Sequence, residues 1–281
     1  MSCEVAIKVD VDTQRGYLEG VPCLLDILGK RGIKASFFFS MGPDNSGKAI
    51  RHIFNRGFLS KILRTKAPMI VASNPDVLKR AVDEGHDCAI HCWDHALWQD
   101  CLRRMTREEI RAELSKAMEL FVQTTGTAPK SCAAPGWQAS FDSLTVQDEL
   151  GFDYCSDVRG ARPFLPRMEG VLFRTLQIPT TLPTLDELQG GSQRNTESIN
   201  DMYLDLLESG LNIHTVHAEI EGILMGDMLK GFLDCCIEGE VAFPTLKEVA
   251  ARFKGTTEAG ISDVEMEIIP GRIEKVALQK E

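Results

Sequence analysis

The sequence predicts an α/β fold, a distorted (β/α)7-8 barrel, and three observations carry that prediction. Short apolar or alternating runs are separated by amphipathic, capped stretches about eight times along the chain, the pattern of parallel strands joined by crossover helices. No Gly-x-Gly-x-x-Gly follows the first strand, which counts against a doubly wound dinucleotide-binding sheet. Ionisable and hydrogen-bonding residues gather just past the strands, the end where barrel enzymes build their sites.

Glu4 to Asp10 alternates apolar and polar residues and reads as the first strand. Val21, Leu24, Leu25 and Leu28 form a helical stripe stopped by Gly32. Ile33 to Ser40 is near-continuously apolar, as a strand covered on both faces requires. Asn74-Pro75 opens a helix carrying Val77, Leu78, Ala81 and Val82 and ending at Gly85, and Cys88-Ala89-Ile90 is the strand after it. Thr106 and Glu109 make a capping box for a helix with Ile110, Leu114, Met118 and Phe121 on one face. A strand at Ser131 to Ala134, a helix at Phe141 to Leu150 and a strand at Asp153 to Ser156 follow. Next come a strand over Leu172 to Ile178, a helix around Ile199 to Leu207 and a strand over Asn212 to His217. A helix from Leu224 to Ile237, a strand at Val241 to Phe243 and a helix ending at Phe253 complete a barrel unit of residues 1–254. In residues 255–281, Val264 to Ile269 and Ile273 to Leu278 flank Pro270-Gly271 as a β-hairpin. That extension is expected to cover the bottom of the barrel or to pair with another subunit of a homo-oligomer.

A hydrophobic content of 43% with 26% charged residues over 281 residues fits a soluble globular protein. No apolar run approaches the ~20 residues of a membrane span, and Met1-Ser2-Cys3-Glu4 lacks the basic start of a signal peptide. Nine scattered cysteines suit reduced thiols of a cytosolic protein better than a disulfide framework. The net charge of −10 argues against nucleic acid as a partner. One stretch runs against that charge. Lys48 to Lys66, the centre of an insertion spanning about residues 44–72, holds six basic and no acidic residues among large apolar ones. Such a segment fits the interface of an anionic membrane, with Arg56, Phe58, Lys61 and Arg64 as contacts; a crossover helix with a solvated basic face is the alternative.

His91 and His95 stand four residues apart just past a strand, where a turn lets both rings reach one metal ion. Two surface histidines are the plainer reading of the pair alone. Cys88, Cys92 and Cys101 lie near it, as further candidate ligands or as small core residues. Asp10 and Asp12 are two residues apart and share a face if the first strand stays extended. Gly136 and Trp137, Asp157, Gln177 and Thr180, and His217 each follow a later strand. His86 and His214 read as structural, and Trp93, Trp98 and Trp137 as sugar platforms or core.

These residues carry a resemblance to the NodB-type polysaccharide deacetylases, carbohydrate esterase family 4. Asp10-Val11-Asp12 matches the family's aspartate motif in a spaced form, His91 and His95 its histidine pair after Gly85-His86-Asp87, and His217 its late histidine. Six segments, among them IKVDVDTQRGYLEGVP, IHCWDHALWQ, QIPTTLPTLDE and VHAEIEG, resemble the branch that deformylates 4-deoxy-4-formamido-L-arabinosyl undecaprenyl phosphate. The resemblance implies one divalent metal ion (zinc, cobalt, manganese or nickel) on Asp12, His91 and His95, and Asp10 as general base. It implies His217 as the acid for the departing amine, oriented by Asp157, and an oxyanion contact in the Gly136-Trp137 turn. Arg159, Gln177, Thr180 and Glu219 are read as substrate contacts, with holding a loop as the alternative for Glu219. It further implies an undecaprenyl-linked lipid partner, a place on the cytoplasmic face of the bacterial inner membrane, and a part in lipid A modification and cationic peptide resistance. An N-deacetylase of acetylated glycans and an inactive carbohydrate- or lipid-binding module are the competing functions. The family's third motif often supplies an arginine that orients the base; the corresponding run here, Cys132-Ala133-Ala134-Pro135-Gly136-Trp137, has none, and Arg159 or Arg162 is expected to take that place.

Overall fold

Alternation in the first strand decides the architecture. In the computed structural model, which describes residues 3–46, 67–189, 196–254 and 259–280, β1 (Cys3–Val11) is the central strand. Val5, Ile7, Val9 and Val11 face the outer helices, while Ala6 packs with Phe38, Ala89, Ala133 and Ile213 on the concave side. β2 (Ser36–Phe39), β3 (Asp87–Ile90), β4 (Ser131–Cys132), β5 (Tyr154–Cys155), β8 (Leu176–Gln177) and β9 (Gly210–His217) run parallel with it. The order is β8-β5-β4-β3-β2-β1-β9. β8 and β9 share no ladder, but the Thr181 and Leu182 amides donate to Ile213 O at 3.2 and 3.1 Å. Seven strands thus make a distorted barrel joined across its gap by a loop.

The helices lie where patterning placed them, apart from two it did not foresee, at His95–Cys101 and Leu185–Gln189. α1 (Val21–Gly29), α2 (Pro75–Asp83), α3 (His95–Cys101), α4 (Arg107–Thr125) and α5 (Phe141–Leu150) alternate with the first strands. α6 (Leu185–Gln189), α7 (Thr196–Asp205), α8 (Gly226–Glu238) and α9 (Leu246–Phe253) follow. Asn74 caps α2, and the Thr106–Glu109 box opens α4, each supplying an acceptor for otherwise unpaired first-turn amides. α9 plugs the barrel bottom with Leu246 and Val249, its amides held by Ser36 Oγ and Asp87 Oδ2.

Three expectations change, and one strand goes unforeseen. Val241 to Phe243 is no strand but a single bridge, Glu4 to Ala242. Leu172 to Ile178 divides into β7 (Val171–Leu172) and β8, because β7 folds back on a strand the patterning misses, β6 (Phe164–Met168). Pro166 disguises β6, and Glu169 and Gly170, both with positive φ, make the tight turn between β6 and β7. The C-terminal hairpin forms as β10 (Gly260–Glu267) and β11 (Val276–Lys280), extending the sheet from β6. It meets the C-terminal end of the barrel strands rather than the bottom. Gln138 Nε2 donates to Lys275 O at 2.7 Å, and the Arg159 amide to Ala277 O at 2.8 Å.

Candidate active site

Parallel register brings the strand ends level. Asp10 pairs with Phe38 on one side and His217 on the other, Ile90 with Phe39 and Cys132, and Cys155 with Gln177. The ladder continues past β3, where the His91 amide donates to Phe39 O at 2.7 Å. Cys92 then adopts a left-handed backbone (φ 82°), Asp94 caps α3 through the Leu97 amide, and His95 is the first helical residue. The histidines therefore meet across a strand-to-helix turn, not along a helical repeat.

Both converge on Asp12. His91 Nε2 lies 3.3 Å from Oδ1 and His95 Nε2 3.3 Å from Oδ2, and the three donor atoms lie within 4.8 Å of one another. Donors held tetrahedrally at ~2.0–2.1 Å from an ion sit about 3.3–3.4 Å apart, so the spacing and the imidazole–carboxylate chemistry fit one divalent metal. Asp12 Oδ1 is buried without a hydrogen-bond partner, as a donor awaiting a cation would be. Burial pushes the Asp12 carboxyl up, but His95 and His91 outweigh it and hold the group well below the usual carboxylate range. Burial lowers His95, and Asp12 more than restores it.

Beside this centre, Asp10 Oδ2 lies 3.1 Å from Nζ of Lys8, and both side chains are buried. His217 stands opposite, its amide donating to Glu221 Oε2 at 2.8 Å. Burial lowers the His217 imidazole, and the charges of Asp12, Glu221, Asp10 and Asp186 raise it overall. Burial pushes Glu221 itself up to about 7.

Several predicted contacts turn out to be framework. Asp157 does not orient His217: its Oδ2 accepts from Gln147 at 2.7 Å and Gln177 at 3.2 Å, and the histidine whose charge reaches it is His91. Burial raises that carboxyl to about 6. Gln177, fully buried, spends both ends of its amide on Asp157 and has none for substrate. Thr180 Oγ1 accepts from Trp137 Nε1 at 3.1 Å and meets Thr215 Oγ1 at 2.8 Å. Arg159 is bound to Glu187 at 2.7 Å and to the Leu182 and Thr180 carbonyls. Neither Arg159 nor the exposed Arg162 replaces the missing arginine, because the cation at Asp10 is Lys8. Glu219 holds a loop: its Oε1 accepts from the Asp12 amide (3.0 Å), the Thr13 amide (2.6 Å) and the Thr13 hydroxyl (2.7 Å). A β-carbon at Gly16 would collide with it.

Gly136 and Trp137 form the expected turn, with φ of 60° and 51°. The Trp137 amide is spent on Ala134 O. Its indole is buried rather than a sugar platform, ringed by Lys8 Nζ at 5.5 Å, the Arg159 guanidinium at 5.0 Å and the Arg272 guanidinium at 4.3 Å. Trp98 is likewise core, donating to Gln138 O. His214 is packed between Tyr203 and Phe232, and His86 accepts the Ala35 amide, so both are structural. Arg56, Phe58, Lys61 and Arg64 lie outside the described residues. Residue patterning missed Lys8, Asp186, Glu187 and Arg272. For Lys8 a signal existed, since it precedes Asp10 and Asp12 at the same two-residue period.

A family model described as polysaccharide deacetylase matches residues 9–155. A Shewanella sediminis protein named a probable 4-deoxy-4-formamido-L-arabinose-phosphoundecaprenol deformylase is 35% identical over 88% of this chain and 85% of its own length. A protein of the same name from Wigglesworthia glossinidia brevipalpis is 30% identical over 93% of this chain and 97% of its own. Among solved structures, a probable polysaccharide deacetylase from Pseudomonas aeruginosa PAO1 superposes with a TM-score of 0.67, covering 91% of this chain and 92% of its own, at 17% identity.

Proposed function

The chain belongs to the polysaccharide deacetylase family, and from that premise we propose that it removes the formyl group of 4-deoxy-4-formamido-L-arabinosyl undecaprenyl phosphate. The observation that carries the reading is the convergence of Asp12, His91 and His95 beside Asp10 and His217, in a chain 35% identical to a protein named for this reaction. Asp12, His91 and His95 would hold the divalent ion, which when bound would supply Lewis acidity to water and to the formyl carbonyl. Asp10 takes the proton of the attacking water. The Gly136 amide faces the developing oxyanion. His217 protonates the sugar nitrogen as the carbon–nitrogen bond breaks, so formate and the free 4-amino sugar leave. The unmasked amine is cationic at neutral pH, which suits a part in lipid A modification and resistance to cationic peptides.

The substrate's polyprenyl chain resides in a bilayer, so the enzyme works at a membrane surface. No helix among the described residues is long and apolar enough to cross a membrane. Arg56, Phe58, Lys61 and Arg64 are therefore assigned to contact anionic lipid at the cytoplasmic face. The test is to incubate the protein, loaded in turn with zinc, cobalt, manganese or nickel, with the formamido lipid and with an acetamido glycan. Formate from the lipid is expected. Acetate alone overturns the substrate assignment, and neither product from metal-bound protein points to a binding module.

A further inference from the structure

Lys8 is wholly inaccessible to solvent. A buried ammonium costs several kcal/mol unless its charge and its donors are met. Three kinds of partner meet it: Asp10 Oδ2 at 3.1 Å, the Ser156 carbonyl at 3.2 Å, and the rings of Phe38 and Trp137 at 5.7 and 5.5 Å. These come from β1, the exit of β5, β2 and the turn after β4, so the ammonium is gripped from four segments of the barrel. Asp10 is 3% exposed, and its other oxygen, Oδ1, has no partner. One carboxylate oxygen is pinned and the other is buried without a partner.

We propose that Lys8 is the positioning residue of the catalytic base. By holding Oδ2 it fixes the carboxylate plane and leaves Oδ1 as the oxygen that receives the water proton. Through its contact with the Trp137 ring it also ties the base to the turn that carries the Gly136 amide, so base and oxyanion contact keep one spacing. This rests on Asp10 acting as base. An ion pair that merely braces β1 predicts a different outcome, because its loss lowers stability and leaves turnover per folded molecule unchanged.

The test compares Lys8→Met, Lys8→Arg, Asp10→Asn and the Lys8→Met/Asp10→Asn double variant in the full metal-loaded chain. The substrate is whichever amide the wild type hydrolyses, so an error in the sugar or acyl assignment does not touch the result. For Lys8→Met, kcat is expected to fall about 100-fold or more, with KM within about threefold and metal content by mass spectrometry unchanged. Lys8→Arg, which retains a donor, recovers activity to within about tenfold of wild type. In the Asp10→Asn background, Lys8→Met causes no further loss, because the two act as one unit. The double variant carries neither buried charge, so its comparison with Asp10→Asn stands even where Lys8→Met alone fails to fold, and Lys8→Arg then carries the test of positioning. Lys8→Met turnover within threefold of wild type, Lys8→Arg no better than Lys8→Met, or a full additional loss in the Asp10→Asn background each overturn the proposal. A wild type that cleaves neither amide overturns both this inference and the function above.

Discussion

Replacing His214 by leucine is expected to flatten the acid limb of the stability profile. His214 is fully buried, its ring 4.4 Å from that of Tyr203 and 5.2 Å from that of Phe232, with neither nitrogen hydrogen-bonded. Burial lowers its pKa to about 3, with the charge of His217 acting the same way. The unfolded chain takes up this proton near pH ~6.5, so below that pH protons favour the unfolded state. The contribution to stability is intact above about 6.5, falls as pH drops, and is exhausted near the folded value of about 3. Between pH 8 and 5 the linkage amounts to about 2 kcal/mol for this one residue. His86, lowered to about 4 chiefly by burial, adds a loss of similar size over the same window. The assay is urea unfolding at pH 8.0, 6.5 and 5.0 for wild type and His214→Leu. Buried acids such as Glu221 titrate in both proteins and cancel in the difference, so the variant should lose about 2 kcal/mol less than wild type on going to pH 5. An equal acid loss in both proteins would show that His214 is not held neutral by its aromatic cage.

Four further outcomes test the site. Changing Asp12, His91 or His95 to alanine should remove tight metal binding by equilibrium dialysis and lower activity at least ~100-fold; a variant that keeps both is not a ligand variant. Glu219→Gln loosens the Asp12–Thr13 loop without touching the donors, so metal affinity by chelator competition should fall about tenfold. Unchanged affinity would deny the loop its role. Arg272→Ala removes the cation stacked 4.3 Å from Trp137 and the 2.6 Å pair with Glu187, at a cost of about 2 kcal/mol in denaturant unfolding. No shift in the midpoint would sever the hairpin from the site. Reversing the charge of Arg56, Lys61 and Arg64 should abolish flotation with anionic liposomes while a soluble short-chain formamide is still hydrolysed; retained flotation refutes the membrane assignment.

Residue patterning alone placed Asp10, Asp12, His91, His95 and His217 at strand ends, because strand period and helix caps are local properties. It located the Thr106 capping box and the Asn74-Pro75 helix start for the same reason. The hairpin was legible from the turn at Pro270-Gly271, but its destination was not. Nothing in residues 255–281 states that Lys275 and Ala277 will meet Gln138 and Arg159, more than 100 positions earlier. Gln177, Thr180 and Arg159 looked like substrate contacts because polar residues at barrel mouths usually are. The folded chain spends them on Asp157, Trp137 and Glu187.

What the sequence by itself determined, then, is the periodic part: the parallel strands that lead into the site, most of their helices, and which residue types arrive at the strands' C-terminal ends. Which polar atom meets which was decided only by tertiary structure, because a hydrogen bond or ion pair depends on angstrom-scale approach between segments far apart in the chain. The His91–His95 spacing belongs to the first category. That Asp12 stands 3.3 Å from both His91 and His95, that Lys8 grips Asp10, and that Asp157 is held by Gln147 and Gln177 instead of orienting His217 belong to the second.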